Sequence, residues 1–338
     1  MTSLILGLIS GNARRRALRP AFSLACALLF ASLNACALPS LQKAQLKPVI
    51  AQPVMELTQT PFFPQEIHQC GPAALATVLG ADGVSIMPES LADQVYIPGR
   101  EGSLQAELIS ASRRNSRMAV RLAPSTETLL QTIAEGRPVL MLQNLGLKSR
   151  PAWHYAVLIG WNGPKNELIL RSGRERRQRL SSARFLQTWE LADRWAVVIA
   201  DPSQPPPATV TPADWIAAAA PFESTGQIEQ AERAYASATQ RWPQESLAWT
   251  ALANVRYAQK NLEGAEQALE AAIAIKPEAA ALNNLAQVRL ERGCGVAALE
   301  ALDRIESVPA ALQSAIDDTR AQARQLGADR KVHCSAAP

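Results

Sequence analysis

The residue whose type and position most favour chemistry is a cysteine at the start of a helix-like stretch. Cys70 lies in QEIHQCGPAALATVLG (65–80), where a polar segment gives way to an apolar one. Gly71 and Pro72 follow it, and proline is favoured at the first position of a helix. We therefore predict a helix over 71–79 with Cys70 at its N-terminus. Backbone N–H groups at that end of a helix stabilise a thiolate, the reactive form of cysteine.

A cysteine nucleophile needs a base, and the chain contains three histidines. His68 lies two residues before Cys70, where it cannot easily share the face of the thiol, and His333 lies beside Cys334 near the C-terminus. His154 opens the apolar, β-branched stretch HYAVLIGW. A histidine at the mouth of a buried strand suits a cysteine on a facing helix. We therefore predict His154 as the partner.

A cysteine on an early helix with a histidine on a later strand resembles the papain-like cysteine peptidases. The closer resemblance is to the bacteriocin-processing, double-glycine peptidases, family 39 among cysteine peptidases. Four motifs spread over residues 61–200 carry it. They are PQ (64–65), CGPAAL (70–75), HYAVL (154–158) and a phenylalanine followed by a tryptophan at 185 and 189. The resemblance implies an α+β papain-like peptidase domain over 61–200.

The resemblance also implies a role for each matching residue. Cys70 would be the nucleophile and His154 the general base and acid. Gln65 would donate its side-chain amide to the oxyanion, together with the backbone N–H of Cys70.

Two positions depart from the family pattern. Gln65 lies five residues before Cys70, where the family usually has six. The family also places an aspartate after the strand that follows the histidine strand, where it orients the imidazole, and this chain has RSG at 171–173. Asn166 or Ser172 would have to supply that bond, and the sequence does not choose between them. Loss of such a group can cost about 10⁴-fold in turnover in a serine triad.

Residues 61–200 read as helices followed by an antiparallel sheet. Two further helices are predicted, one from an N-cap at Ser103 to Arg114 and one over 125–135. The strands are predicted at 139–145, 153–161, 167–172 and 195–200. Five arginines in RSGRERRQR (171–179) lie beside the inferred site. We interpret this run as a solvated hairpin, with selection of acidic peptides or lipid head groups as the alternatives.

The C-terminal part repeats itself after a proline-rich linker at 201–212. Tryptophans, alanines and prolines recur 34 residues apart, and a third copy is one residue shorter. This period resembles tetratricopeptide repeats, so we predict an all-α domain over 213–330 with a capping helix. Such repeats bind a protein partner in a groove or serve only as a packing scaffold. Cys294 and Cys334 both lie in this part, and we predict a disulfide between them.

The N-terminus has the pattern of an exported lipoprotein. Four arginines precede the apolar run AFSLACALLFASL (21–33), which is too short to span a bilayer and suits a signal peptide over 1–35. LNAC, ending at Cys36, resembles a lipobox and implies a lipid on that thiol. Residues 36–60 would be a tether. Ala37 implies the outer membrane, so we predict a location on its periplasmic face in the cell envelope.

Charge and composition narrow the function further. The four arginines of the signal segment account for the whole net charge of +4. The mature chain is therefore near neutral, and nothing favours a nucleic-acid partner. The sequence offers no metal-ligand cluster, so we expect neither a metal nor an organic cofactor.

These observations predict a lipid-anchored cysteine peptidase that acts on a peptide or protein substrate, with repeats that recruit a substrate or partner. A non-catalytic, peptide-binding adaptor with a degenerate peptidase fold is the first alternative. An acyl or amide transferase with the same Cys–His pair is the second.

Overall fold

The computed structural model of the chain describes residues 53–64 and 69–329. The predicted signal peptide, Cys36, Gln65 and Cys334 lie outside these ranges. Among the described residues, no helix has the length and apolar character needed to cross a membrane.

The N-terminal part contains an antiparallel sheet and five helices within the described ranges. The helices are α1 (Cys70–Ala81), α2 (Pro88–Val95), α3 (Gln105–Arg114), α4 (Thr126–Ala134) and α5 (Ser182–Glu190). The strands are β1 (Val54–Glu56), β2 (Tyr96–Ile97), β3 (Gly102–Ser103), β4 (Met118–Arg121), β5 (Val139–Asn144), β6 (Trp153–Asn162), β7 (Glu167–Ser172), β8 (Glu175–Ser181) and β9 (Ala196–Ala200). The predicted α+β class is confirmed.

Strands β2 and β3 form a separate two-stranded sheet, and the other seven strands form an antiparallel sheet built around β6. The strand order is β4-β9-β5-β6-β7-β8, with β1 pairing the far end of β6. Successive residues of a strand point to opposite faces. Tyr155, Val157 and Ile159 accordingly pack in one core with α1, while Ala156 and Leu158 belong to a second core on the other face. Because both faces are covered, the sheet can place a polar side chain in a water-poor setting at its edge.

Two local predictions need correction. Ser103 does not cap α3, because it lies in β3 and the N-cap position is taken by Leu104. Strand β1 falls within the predicted tether, since Val54–Glu56 pairs with β6. Its backbone comes so close that a Cβ on Gly160 would lie 2.2 Å from the Met55 carbonyl oxygen. Short strands of this kind lack the alternation that sequence patterns detect.

The C-terminal part is a series of helix pairs and a final helix. They are α6 (Pro212–Ser224), α7 (Ile228–Arg241), α8 (Ser246–Ala258), α9 (Leu262–Ile275), α10 (Ala279–Glu291), α11 (Gly295–Asp303) and α12 (Gln313–Asp329). The all-helical prediction is confirmed. Its assignment to tetratricopeptide repeats stays a prediction.

The proline-rich segment before α6 is packed against both parts. Pro202 and Val210 are buried. The Pro202 carbonyl accepts a 3.0 Å hydrogen bond from Ser237 Oγ in α7, and Thr209 Oγ1 lies 2.9 Å from Thr132 Oγ1 in α4. The second core runs from the sheet into the helix pairs. The helical part is therefore attached by packing as well as by the chain.

Candidate active site

Cys70 is the first residue of α1, as the sequence predicts. It is the one free cysteine in the described ranges and is partly buried. The backbone N–H groups of Tyr155, of Gly71 and of Cys70 itself lie near the sulfur and act to lower the pKa of the thiol. Tyr155 directly follows His154 in β6, so this contact brings the start of α1 to the start of the histidine strand.

The electrostatic setting of the thiol differs from the expectation for a helix N-terminus. The three backbone N–H groups lower the pKa of Cys70, but burial raises it by more, and the net pKa lies above the ordinary 9.0. Desolvation disfavours the charged form of any buried acid. The predicted stabilisation of a resting thiolate is therefore wrong in its net direction, although the helix start that motivated it is present.

His154 lies near the start of β6 and is hydrogen-bonded to β7. Its Nε2 is 2.9 Å from Ser172 Oγ. Ser172 is 4% exposed, so this bond is largely shielded from water. Burial lowers the pKa of His154 below the ordinary 6.5. The imidazole is therefore neutral at physiological pH and able to accept a proton.

The register of the sheet explains why Ser172 makes this contact. Val157 pairs with Arg171, so Ser172 lies one step closer to the start of β6 and shares a face with His154. Asn166 precedes the opposite end of β7, about 20 Å away at the rise of an extended strand. Its backbone carbonyl accepts the N–H of Ser182. Of the two residues that the sequence left open, Ser172 is the one that bonds to the imidazole.

Arg171, which precedes Ser172, has a structural role. The side chain is 3% exposed and donates hydrogen bonds of 3.0 and 3.1 Å to the carbonyls of Thr60 and Thr58. It fastens the segment before Pro61 onto the sheet. Arg177 in β8 forms a two-pronged ion pair with Glu56 in β1. The interpretation of the arginine run as a solvated hairpin is therefore wrong for the buried Arg171, whereas Arg177 is 42% exposed and agrees with it.

Cys70 and His154 line the same cleft, whose volume is about 1270 Å³. Leu142, Tyr155 and Trp195 are buried side chains of its lining, and the Tyr155 hydroxyl donates to the Ser103 carbonyl across it at 3.2 Å. Other residues of the lining are Arg100, Glu101, Arg121, Trp153, Arg174 and Asp193. A cleft of this size accommodates a short peptide segment.

Ser103 also controls how closely β3 approaches α1. A Cβ on Gly71 would lie 2.3 Å from Ser103 Oγ, so this position accepts only glycine unless the two elements move apart. Ser103 Oγ is buried and has no hydrogen-bond partner among the described residues. The sequence predicts Ser103 at a helix cap and does not reveal this packing, because nothing local indicates which residue will face Gly71.

The other predicted positions are not brought to the cleft within the described ranges. Cys294, in the helical part, is disulfide-bonded. Cys334 is not described, so the pairing of these two residues stays a prediction. No group of three or more potential metal ligands occurs in the described part of the chain.

Residues 57–197 match a family model described as the Peptidase_C39 like family. The predicted family 39-like domain is thereby confirmed for this segment. No curated protein matches the chain.

The chain is similar to a number of solved structures, of which three are each 18% identical to it. The alignment with a proposed C39-like peptidase from Bacillus anthracis covers 44% of this chain and 97% of that protein, with a TM-score of 0.36. The peptidase domain of Streptococcus ComA, a bifunctional ABC transporter, covers 42% and 98%, with a TM-score of 0.32. The TPR2B domain of yeast Sti1, in a complex with pHsp70, covers 34% and 96%, also with a TM-score of 0.32.

Proposed function

We propose that the peptidase C39-like domain is a cysteine peptidase that hydrolyses a peptide bond with Cys70 and His154. The observation that carries this proposal is the convergence of a free thiol and a neutral imidazole on one peptide-sized cleft. Burial opposes charge on both side chains, raising the pKa of Cys70 and lowering that of His154. The resting site therefore holds a neutral thiol and a neutral imidazole.

The reaction follows from that starting state. His154 takes the thiol proton as the Cys70 sulfur attacks the carbonyl carbon, which gives a tetrahedral oxyanion. Gln65 and the backbone N–H of Cys70 are the proposed oxyanion donors. The imidazolium then protonates the leaving amine, and an acyl-enzyme remains. Water, deprotonated by His154, attacks the thioester and releases the acid product.

The direct test uses a peptide mixture, because the natural substrate is not identified. Tryptic peptides of a bacterial lysate are incubated with the full chain, and new termini are identified by mass spectrometry. We expect cleavage that Cys70→Ala and His154→Ala both abolish. Ser112→Ala is the matched control, since this buried hydroxyl bonds within α3.

The same experiment separates the alternatives. Capture of peptides by Cys70→Ala, with no cleavage by the unaltered chain, would favour the adaptor. Products joined to an added amine such as glycinamide would indicate a transferase. Cleavage that survives Cys70→Ala would refute the proposed nucleophile.

We propose further that the chain is anchored through a lipid on Cys36 at the periplasmic face of the outer membrane, and that the helical part recruits a substrate or partner protein. The lipobox-like LNAC and the preceding apolar run support the anchor. Expression of Cys36→Ser should release the protein from the membrane fraction. An unchanged membrane fraction would count against lipidation at this residue.

A further inference from the structure

We propose that Ser172 is the positioning residue for His154, at the place where the resemblance expects a carboxylate. The inference rests on the proposed function, because a positioning residue has meaning only if His154 acts on Cys70. In this arrangement the Cys70 thiol, the His154 imidazole and the Ser172 hydroxyl are all uncharged before the reaction.

The geometry around Ser172 is suited to this role. The residue closes β7, whose backbone is paired with β6 on one side and β8 on the other. Ser172 pairs with Glu175 across the β7–β8 turn. The pairing with β6 ends at Arg171, so the backbone of Ser172 itself is held by β8. The side chain is buried, and its Oγ lies 2.9 Å from Nε2 of His154. A buried bond of this kind restricts both rotation and flipping of the imidazole ring.

A hydroxyl can donate or accept, so the 2.9 Å contact between Nε2 and Ser172 Oγ fits either tautomer. The proposed role requires the tautomer in which Nε2–H is the donor. A neutral imidazole carries one N–H and one acceptor nitrogen. When Nε2–H donates to Ser172 Oγ, Nδ1 keeps its lone pair and is available for the thiol proton of Cys70. Removal of the hydroxyl takes away the acceptor of Nε2–H, and a part of the population then presents the wrong nitrogen to the thiol.

A serine and a carboxylate at position 172 should have different effects on the pKa of His154, because only the carboxylate adds a charge beside the imidazole. Gln143 pairs opposite His154 from β5, and it is neutral. The titratable or charged residues that line the cleft, besides Tyr155, are Cys70, Arg100, Glu101, Arg121, Arg174 and Asp193. Ser172 itself carries no charge, so its bond does not stabilise the imidazolium as an aspartate does. An aspartate introduced at 172 should therefore raise the pKa of His154.

The test compares Ser172→Ala, Ser172→Thr and Ser172→Asp, with Ser112→Ala as the control for a buried serine outside the site. Two readouts are used: the ¹⁵N spectrum of the three histidines in the full chain, and kcat and KM on a peptide that the first screen finds cleaved. His154→Gln assigns the His154 signals.

We expect Ser172→Ala to mix the two tautomers of His154 and to lower kcat by about 10- to 1000-fold with little change in KM, a smaller loss than the ~10⁴ for a triad carboxylate. Ser172→Thr, which keeps the hydroxyl, should restore the single tautomer. Ser172→Asp should raise the pKa of His154 by about 1–3 units, the range for an opposite charge in contact. The acidic limb of the rate profile should move with it.

The ¹⁵N readout does not depend on peptide cleavage. An unaltered chain that cleaves nothing would refute the proposed function, while the tautomer in Ser172→Ala would still decide the role of Ser172. An unchanged tautomer in Ser172→Ala would overturn the inference. A loss of kcat equal to that of Ser112→Ala would do the same.

Discussion

The helix pairs and the cleft hold their polar side chains by contrasting means. In the helix pairs, Arg256 bonds to Glu232 and to the Gly264 carbonyl, within 24 residues in sequence. Arg289, which lies 33 residues later, bonds to Glu266 and to the Ala297 carbonyl in the same way. The pattern is repeated from one helix pair to the next.

In and beside the cleft, the polar contacts join distant parts of the chain. The Tyr155 hydroxyl reaches the Ser103 carbonyl over 52 residues, and Arg171, next to Ser172 in β7, reaches the Thr60 carbonyl over 111. His154 and Ser172 lie on different strands. No second copy of these contacts exists among the described residues.

This difference shows where each region is vulnerable. A change in the helix pairs removes one of several similar contacts, so it should cost stability. A change in the cleft removes a contact with no equivalent, so it should cost activity before stability.

The largest loss of activity without a loss of stability is expected for His154→Ala. General acid–base catalysis typically contributes about 10²–10⁴-fold, and we expect kcat/KM to fall by that amount. The urea midpoint should stay close to that of the unaltered chain, because His154 lies at the end of β6 instead of in its core. A large fall in the midpoint would contradict the contrast drawn between the two regions.

The opposite result, a loss of stability without a loss of activity, is expected for Glu266→Gln in α9. Its side chain is 11% exposed and pairs with both Arg289 and Arg292. Removing one partner of a buried pair leaves unpaired charge, so we expect a loss of about 2–3 kcal/mol in unfolding free energy with kcat/KM unchanged.

Glu229→Gln is the matched control for that change. This glutamate is 77% exposed and pairs with Arg233 at i,i+4, so its loss should cost about 0.5 kcal/mol or less. Equal destabilisation by the two substitutions would contradict the expectation that the buried ion pair contributes more stability than the exposed one.

Gly71→Ala should lower both the stability of the chain and the reactivity of Cys70 by modest amounts. The new Cβ would meet Ser103 Oγ at 2.3 Å, which forces β3 and α1 apart. We expect a loss of about 1–3 kcal/mol, as for other overpacked positions, and a lower rate of Cys70 alkylation by iodoacetamide if the thiol moves. Gly99→Ala is the control, since no atom lies within 4 Å of its added Cβ. A wild-type alkylation rate and melting temperature in Gly71→Ala would contradict tight packing between Gly71 and Ser103.

The pH dependence of activity and of Cys70 alkylation should test the electrostatic setting of the cleft without any substitution. His154 accepts a proton only when it is neutral, and its pKa is lowered, so activity should fall only below pH 6.5. The pKa of Cys70 is raised, so alkylation by iodoacetamide should rise with a midpoint above 9.0. A midpoint well below that value would indicate a preformed thiolate–imidazolium pair instead.

Much of this architecture is predictable from the sequence. The 34-residue recurrence predicts the helix pairs, because each pair must present the same small residues to its neighbour. The predicted helix at 71–79 corresponds to Cys70–Ala81, and the predicted strand at 153–161 to Trp153–Asn162. Both are long, strongly apolar stretches, and burial determines their pattern directly.

The edges of the sheet and the fine detail of the site are not predictable in this way. Strand β1 is three residues long in a segment that reads as a tether, and β8 consists largely of exposed polar residues. Neither carries an apolar alternation. Both exist because the neighbouring strands present unpaired backbone groups for them to satisfy.

The sequence by itself determined the candidate nucleophile and base, since one cysteine at a helix start and one histidine at a strand start satisfy the local rules. It also determined that no aspartate follows the histidine strand in the family's position. Only the tertiary structure decided that Ser172 and not Asn166 bonds to the imidazole. It also decided that burial outweighs the helix N-terminus at Cys70. Strand register and desolvation depend on residues far apart in the chain, so no local pattern contains them.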